Sequence, residues 1–305
     1  MNFTKLCAIT FVRCLLSACV GSLLFSSLLN AQQPSSYLKK VNPQQEAAAA
    51  AQKSAARAAL PGPSATILCS YTFVSGSGNT YLQYCVTANG NITYLETPFG
   101  HAHIGGNAEF SSFGEGYGIC NESPAQNYYD YAGFGDTGNW GPPTLVSLTA
   151  TSVKIARSTS DLNWTLTQTI TQMAGATPYI KIVLALKNNQ AVSKVAYLVR
   201  YADVDADSSF LNTLDSTQNS AAGWNEHDPT TGFSYGLQLQ NVGTPHFGYW
   251  DAFAQNIPQG PNACDFAGHY VGGPLVNTDG SLVMAYVGSV PAGGTKTATV
   301  VYRGM

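Results

Sequence analysis

The chain from about residue 64 onward consists of short segments in which apolar and polar residues alternate. Residues 162–172, LNWTLTQTITQ, alternate at every second position, the period of a β-strand with one buried face. Further strand-like segments follow, separated by turn sequences such as AGAT and PAGG: PYIKIVLALKN, SKVAYLVRYADV, GFSYGLQLQ, SLVMAYVGSV and TKTATVVYR. Residues 64–305 contain no convincing helical period. The pattern predicts an all-β fold, a single large antiparallel β-sandwich domain over residues 64–305.

The first 63 residues differ in composition and are set apart from this domain. Residues 1–31 place Lys5 and Arg13 ahead of an apolar run, which predicts a secretory signal peptide cleaved after Ala31. Two alternatives stay open: lipidation of Cys19 in the lipobox-like sequence LSAC, and retention of the apolar run as a membrane anchor. Residues 32–63 are rich in Ala, Gln and Pro, which favours a partly helical linker.

The charge of the domain excludes some classes of partner. Residues 64–305 hold eight Lys and Arg against sixteen Asp and Glu, a net charge of −8. Such a surface repels nucleic acids and anionic membranes, so we expect neither as a partner. We also expect no membrane span after cleavage of the signal peptide. The sequence therefore indicates a protein that is secreted or lies in the periplasm or cell envelope.

Four cysteines remain after residue 63, and export favours disulfides over metal-bound thiolates. The segments TILCSYTFV and TYLQYCVTA flank SGSG, and a hairpin centred on Ser77 pairs residues whose numbers sum to 154. This register places Cys69 opposite Cys85, within the range of a disulfide. Cys120 and Cys264 are then left for each other, with two buried free thiols as the alternative for this second pair.

The segment YLVRYADVDAD ends in aspartates at alternate positions. If the strand continues, Asp203, Asp205 and Asp207 share one face at a spacing of about 7 Å, and a cation or hydrogen-bond donors must offset their repulsion. Oxygen ligands suit Ca²⁺, and a loop that bends after Asp205 would add Asn212 or Asp215. The alternatives are a solvated loop and a pair of catalytic carboxylates.

Other motifs point less directly to chemistry. His101 and His103 alternate on a predicted strand ahead of Glu109, which allows a metal site, with two packing or surface histidines as the alternative. Residues 133–138, GFGDTG, match GxGxxG, but the following GPP prevents the helix that nucleotide binding requires. The sequence contains no GxSxG, HExxH, CxxC or Walker motif.

Aromatic residues collect in turn-rich segments: Tyr128, Tyr129, Tyr131, Trp140, Trp224, Tyr249 and Trp250. Rings in such positions can stack on sugars, and Trp140, Trp224, Tyr249 and Trp250 are our candidates for a glycan-binding cleft. The alternative is that these rings close the ends of the sandwich.

The chain also resembles two groups of known proteins. The order of NGNITYLETP, GEGYGIC, TSDLNWTLTQTIT, PYIKIVLALKN and VAYLVRYADVDAD resembles a group of exported bacterial β-sandwich proteins whose function is uncharacterised. More distantly, the strand and turn rhythm from Trp164 to Trp224 is similar to the supersandwich, or galactose-mutarotase-like, domain of bacterial glucoamylases and glucodextranases. The second resemblance covers part of the chain and carries no catalytic motif. It implies a carbohydrate setting by fold analogy alone.

Two functions therefore stay open. The first is a secreted or envelope-associated module, not an enzyme, that binds a carbohydrate or an envelope ligand and uses its aspartates structurally. The second is a carbohydrate-active enzyme in which two carboxylates among Asp203, Asp205, Asp207 and Glu226, or alternatively His227, act as acid and base. We favour the first because no recognisable partner motif for these carboxylates occurs elsewhere in the sequence.

Overall fold

A computed structural model of the chain describes residues 69–104, 115–132, 135–136, 139–225, 234–255, 263–264 and 274–305. The predicted signal peptide, the linker and the GxGxxG segment lie outside these residues, wholly or in most of their positions. The predicted all-β fold is confirmed, since the described ranges contain strands, two short 3₁₀ turns (Gly78–Thr80 and Ala206–Ser208) and no α-helix. In these same ranges, no helix has the length and apolarity needed to cross a membrane.

The strands are β1 (Tyr71–Ser75), β2 (Leu82–Val86), β3 (Ile92–Glu96), β4 (Ala102–Ile104), β5 (Glu115–Asn121), β6 (Gln126–Ala132), β7 (Gly135–Asp136), β8 (Thr144–Leu148), β9 (Ser152–Ser158), β10 (Trp164–Met173), β11 (Tyr179–Asn188), β12 (Lys194–Asp203), β13 (Asn212–Thr217), β14 (Ser220–Asn225), β15 (Gly236–Asn241), β16 (Tyr249–Gln255), β17 (Leu275–Thr278), β18 (Ser281–Val290) and β19 (Thr295–Gly304).

These strands form three antiparallel sheets. A four-stranded sheet has the order β1-β2-β3-β4, a six-stranded sheet the order β16-β18-β12-β5-β6-β7, and a nine-stranded sheet the order β17-β13-β14-β15-β19-β11-β10-β9-β8. The consecutive strands β18 and β19 lie in different sheets, because β18 pairs with β12 and β16 whereas β19 pairs with β11 and β15. The turn PAGG therefore connects the two large sheets and does not close a hairpin.

The main hydrophobic core contains side chains from all three sheets. Strand β10 contributes alternate residues, among them Leu166 and Ile170, and β11 contributes Ile182 and Leu184. The residues between them are half-buried, so the period of two that the sequence predicts is present in the structure. Burial of one face of these long strands therefore contributes to the hydrophobic stabilisation of the sandwich.

The six-stranded sheet buries its inner face and part of its outer face. Its inner face, which includes Leu198 of β12, packs in the main core. On its outer face, Val199 and Tyr201 of β12 pack with Phe253 and Ala263 in a separate cluster. Both faces of β12 are buried from Leu198 to Asp203, which explains why this part of the strand lacks the alternation of β10.

Both predicted disulfides are confirmed, although the first hairpin has a different register. Cys69 is bonded to Cys85 and Cys120 to Cys264, with Cα–Cα distances of 5.5 and 4.9 Å. In the β1–β2 pair, Thr72 lies opposite Cys85, a pairing sum of 157 and not the predicted 154. The predicted register was wrong because the connection includes a 3₁₀ turn, which moves its centre beyond Ser77.

The turn between β2 and β3 inserts its backbone between side chains of the two large sheets. The carbonyl oxygen of Asn89 accepts hydrogen bonds from Tyr117 Oη at 2.9 Å and Gln168 Nε2 at 3.2 Å. The carbonyl oxygen of Gly90 accepts one from Arg200 Nη2 at 3.2 Å. Gly90 has a φ of 92°, and a Cβ atom there would clash with the side-chain amide of Gln168, so this position requires glycine.

Candidate functional site

Strand β12 carries a buried ion pair on its inner face. Arg200 Nη2 lies 2.5 Å from Glu115 Oε1, and both side chains are fully buried. Tyr302 Oη donates to Glu115 Oε1 at 2.6 Å, and the Ile92 backbone N–H donates to Oε2 at 2.5 Å. Burial raises the pKa of Glu115, and the Arg200 guanidinium opposes that effect. The charge is offset within the protein, which indicates a structural role for this pair.

The predicted row of aspartates ends after its first member. Asp203 is the last residue of β12, and Asp205 has left the extended conformation, with φ −122° and ψ 62°. Asp207 lies in the following 3₁₀ turn with a left-handed φ of 52°. The prediction that the three carboxylates share one strand face was therefore wrong, because the strand stops before the alternation does.

Asp203 and Asp205 instead meet Asp279, which lies in the turn between β17 and β18. One carboxylate oxygen from each of the three lies within 4.8 Å of the others. Asp203 is 0% exposed, Asp205 is 2% exposed, and Asp279 is half-buried. Acidic, histidine and cysteine side chains are common ligands of metal ions in proteins. Among the residues that the structure describes, these three aspartates form a cluster of such side chains compact enough for a metal ion. We call it the aspartate group.

Asn212 of β13 lies beside the aspartate group. The side chain is fully buried, and its Nδ2 donates to the carbonyl oxygens of Val204 at 2.8 Å and Ser209 at 3.0 Å. Its strand partner is Thr278, the residue before Asp279. Its Oδ1 has no hydrogen-bond partner within the described part of the chain.

The other two predicted metal ligands lie apart from the aspartate group. Asp207 Oδ2 is 2.9 Å from His101 Nδ1, and both side chains are 24% exposed. The His101 ring stacks on Tyr235 with a centroid distance of 3.5 Å. Asp215 is exposed on β13, where its Oδ1 accepts a hydrogen bond from the Ser216 backbone N–H.

The two candidate histidines have separate surroundings. His101 contacts Asp207, whereas His103 is fully buried and its Nε2 contacts the carbonyl oxygen of Thr97. Burial lowers the pKa of His103 below its ordinary 6.5. Glu109, the third ligand that the sequence suggested, lies outside the described residues.

Tyrosines lie in register across the outer face of the six-stranded sheet. Tyr249 on the edge strand β16 and Tyr197 on β12 are both paired with Val287 of the strand between them, so their backbones are about 10 Å apart. Tyr129 of β6 packs on the same face. Tyr249 is 53% exposed, and the other two rings are partly buried. Tyr249 Oη donates to Asp251 Oδ2 at 3.1 Å. We call Tyr129, Tyr197, Tyr249 and Asp251 the outer tyrosine face.

The electrostatic setting keeps these hydroxyls protonated. Burial and then the nearby Glu122 raise the pKa of Tyr197. At Tyr249, burial and then the hydrogen bond to Asp251 raise the pKa. Both phenols are therefore hydrogen-bond donors at neutral pH, and the Asp251 carboxylate is an acceptor beside Tyr249.

The tryptophan candidates do not meet Tyr249 in one cleft. Trp140 is 8% exposed and packs edge-on against Tyr117, so it closes the interior, which is the alternative that the sequence left open. Trp250 points to the opposite side of β16 from Tyr249, where its Nε1 donates to Asn219 Oδ1 at 2.8 Å. Trp224 lies five residues beyond Asn219, about 17 Å along the chain if β14 is extended.

The comparisons with known proteins concern the fold. The chain matches no family model and no curated protein. A bacterial glucoamylase complexed with acarbose is similar in structure at 10% identity and a TM-score of 0.49, over 80% of this chain and 33% of that one. The chain thus spans about a third of the length of that glucoamylase.

Two further solved structures are similar at lower scores. A GalM/aldose epimerase homologue from C. elegans has 8% identity and a TM-score of 0.40, over 77% of this chain and 98% of that one. A copper-containing benzylamine oxidase from Hansenula polymorpha has 8% identity and a TM-score of 0.41, over 80% and 61%. At such identities the likeness is one of fold alone. The resemblance to the exported bacterial group stays an interpretation.

Proposed function

We propose that the chain is an exported, non-enzymatic β-sandwich module that binds a glycan, or another component of the cell envelope, on its outer tyrosine face. The observation that carries this proposal is the register that aligns the partly exposed rings of Tyr249 and Tyr197 on one sheet face. Tyrosine rings offer flat apolar surface for a sugar ring and a hydroxyl for its polar edge. Asp251 supplies a carboxylate that accepts hydrogen bonds from sugar hydroxyls.

Two features support export and the class of ligand. Disulfides persist in oxidising compartments, and the part of the chain that the structure describes contains two. The net charge of −8 on residues 64–305 disfavours polyanionic ligands, which leaves neutral or cationic polymers as the better fit.

The enzymatic alternative has less support from the described residues. Most glycoside hydrolases hold two carboxyl groups about 5 to 9.5 Å apart on either side of an open cleft. Asp203 and Asp205 have carboxylate oxygens within 4.8 Å of each other and are almost fully buried, so a substrate does not reach them. Glu226 and His227, the other candidates, lie outside the described residues.

The test is a screen of the full-length chain against glycans and envelope polysaccharides. We expect Tyr249→Ala and Tyr197→Ala each to weaken binding of a retained glycan about fivefold, because each removes a stacking contact of about 1 kcal/mol. Phe99→Ala is the matched control, since Phe99 is a 66% exposed ring in the turn between β3 and β4.

Two results would count against the proposal. Equal binding by the unchanged chain and both tyrosine variants would remove the outer tyrosine face as the site. Failure of the unchanged chain to retain any glycan or envelope fraction would remove the function itself.

A further inference from the structure

The aspartate group has the dimensions of a site for one ion. Oxygen ligands lie about 2.3 to 2.6 Å from a Ca²⁺ ion, so two ligands of the same ion are at most about 5 Å apart. The three aspartates each place one oxygen within 4.8 Å of the other two. The spacing therefore fits three carboxylate ligands on a single cation.

Asn212 gives an independent indication of a ligand. Buried amide oxygens normally have a hydrogen-bond partner, but the fully buried Oδ1 of Asn212 has none within the described residues. Its Nδ2 is held by the carbonyl of Val204, which lies between Asp203 and Asp205 in the chain. On its other side, the backbone of Asn212 is paired with Thr278, next to Asp279. The amide thus lies between the two segments that carry the aspartates.

We propose that Asp203, Asp205, Asp279 and Asn212 bind one Ca²⁺ ion. Four oxygen ligands without nitrogen or sulfur favour a hard cation over Zn²⁺. Ca²⁺ accepts six to eight oxygens in flexible geometry, whereas Mg²⁺ demands a near-ideal octahedron and retains several waters. The half-buried Asp279 gives the ion its route from solvent and leaves room for water ligands on that side.

The ion joins parts of the chain that are distant in sequence. Asp203 ends β12 and Asp205 lies two residues beyond it, whereas Asp279 precedes β18. The Val204 backbone N–H already donates to the Gly280 carbonyl at 3.2 Å. Binding requires the folded arrangement, so Ca²⁺ stabilises the folded chain over the unfolded one. This structural role does not depend on glycan binding.

The experiment uses the full-length chain, freed of metal with a chelator and then titrated with Ca²⁺ or Mg²⁺ in a calorimeter. We expect one Ca²⁺ per chain, a lower Tm in chelator, and recovery of the Tm with Ca²⁺ but not with an equal concentration of Mg²⁺. Asp205→Asn and Asp279→Asn should each raise the Kd for Ca²⁺ at least tenfold. Asp215→Asn is the matched control and should leave the Kd unchanged, because Asp215 is exposed and outside the group.

A second measurement guards against variants that fail to fold. Tb³⁺ replaces Ca²⁺ in oxygen sites, and Tyr201, two residues before Asp203 on β12, lies near enough to sensitise its luminescence. Luminescence that Ca²⁺ displaces, and that Asp279→Asn abolishes while its circular dichroism stays native, supports the site. An unchanged Tm in chelator with no heat of Ca²⁺ binding, or native affinity in Asp279→Asn, overturns it.

Discussion

The two faces of β12 place buried charge in opposite settings. On the inner face, Arg200 forms an ion pair with Glu115 of the adjacent strand β5. Further hydrogen bonds are donated to both carboxylate oxygens of Glu115. At the end of the outer face, Asp203 meets two more carboxylates from neighbouring loops. The inner charges are opposite and come from within the sheet, so this pair is complete when the sheets form. The outer charges are alike, and under our proposal a bound ion offsets their repulsion.

The largest expected effect is loss of the disulfide on the outer face. Cys120 and Cys264 are 144 residues apart, whereas Cys69 and Cys85 are 16 apart. In the chain-entropy model these separations correspond to about 5 and about 3 kcal/mol of stabilisation. We therefore expect Cys120→Ala with Cys264→Ala to lower the free energy of unfolding by about 2 kcal/mol more than Cys69→Ala with Cys85→Ala.

Urea unfolding of the two double variants measures this difference. If both double variants lose the same free energy of unfolding, the Cys120–Cys264 bond stabilises the chain no more than the Cys69–Cys85 bond does. That result would contradict the larger effect expected for the outer face.

On the inner face, Arg200→Met should cost about 3 to 5 kcal/mol of stability. The substitution leaves the Glu115 carboxylate buried without its cation, which is more costly than the absence of both charges. Adding Glu115→Leu should therefore restore much of the loss. Arg303→Met, at a half-buried arginine of β19, is the control and should cost less than about 1 kcal/mol.

Chemical denaturation of the single and double variants measures the coupling between the two residues. A double variant as unstable as Arg200→Met alone would contradict the view that the inner pair is self-contained.

The smallest effect concerns His103, whose carbonyl accepts a hydrogen bond from the Asp205 backbone N–H at 3.2 Å. Burial lowers its pKa, so as the pH falls below about 6.5 the unfolded chain binds a proton that the folded chain does not. The free energy of unfolding should then decrease by up to about 1.4 kcal/mol for each unit by which the pH falls. The contribution of neutral His103 should be fully present above pH 6.5.

His103→Gln should remove this part of the pH dependence between pH 7.5 and 5, measured by urea unfolding. His246→Gln, at an exposed histidine, should retain it. A His103→Gln profile parallel to that of the unchanged chain would contradict the assignment.

Strand positions are accessible from the sequence because alternation is a local property. The segments predicted for β10, β11, β18 and β19 begin and end within about two residues of the strands. Sheet membership is not local, and nothing in PAGG indicates that β18 and β19 belong to different sheets. The hairpin register failed for a related reason, since the SGSG sequence does not reveal the 3₁₀ turn that lengthens the connection.

The candidate site likewise contains residues that are close in sequence and residues that only strand pairing brings together. Asp203, Asp205 and Asn212 are close in sequence, and their spacing suggested oxygen ligands. Asp279 belongs to a turn about 75 residues further along, and only the pairing of β12 with β18 brings it near. Asp207 was misplaced because β12 ends at Asp203 and a 3₁₀ turn follows, so the strand period does not extend to Asp207. Alignment of Tyr197 with Tyr249 likewise depends on strand order, which the sequence does not give.

The inserted turn at Asn89 and Gly90 has a consequence for cooperativity. A sheet of four short strands would ordinarily open on its own, well below the free energy of global unfolding. Here, withdrawal of the turn would strip carbonyl partners from Tyr117, Gln168 and Arg200 in the interior of the two large sheets. Since leaving such buried donors without partners is costly, we expect the small sheet and both large sheets to unfold as one unit.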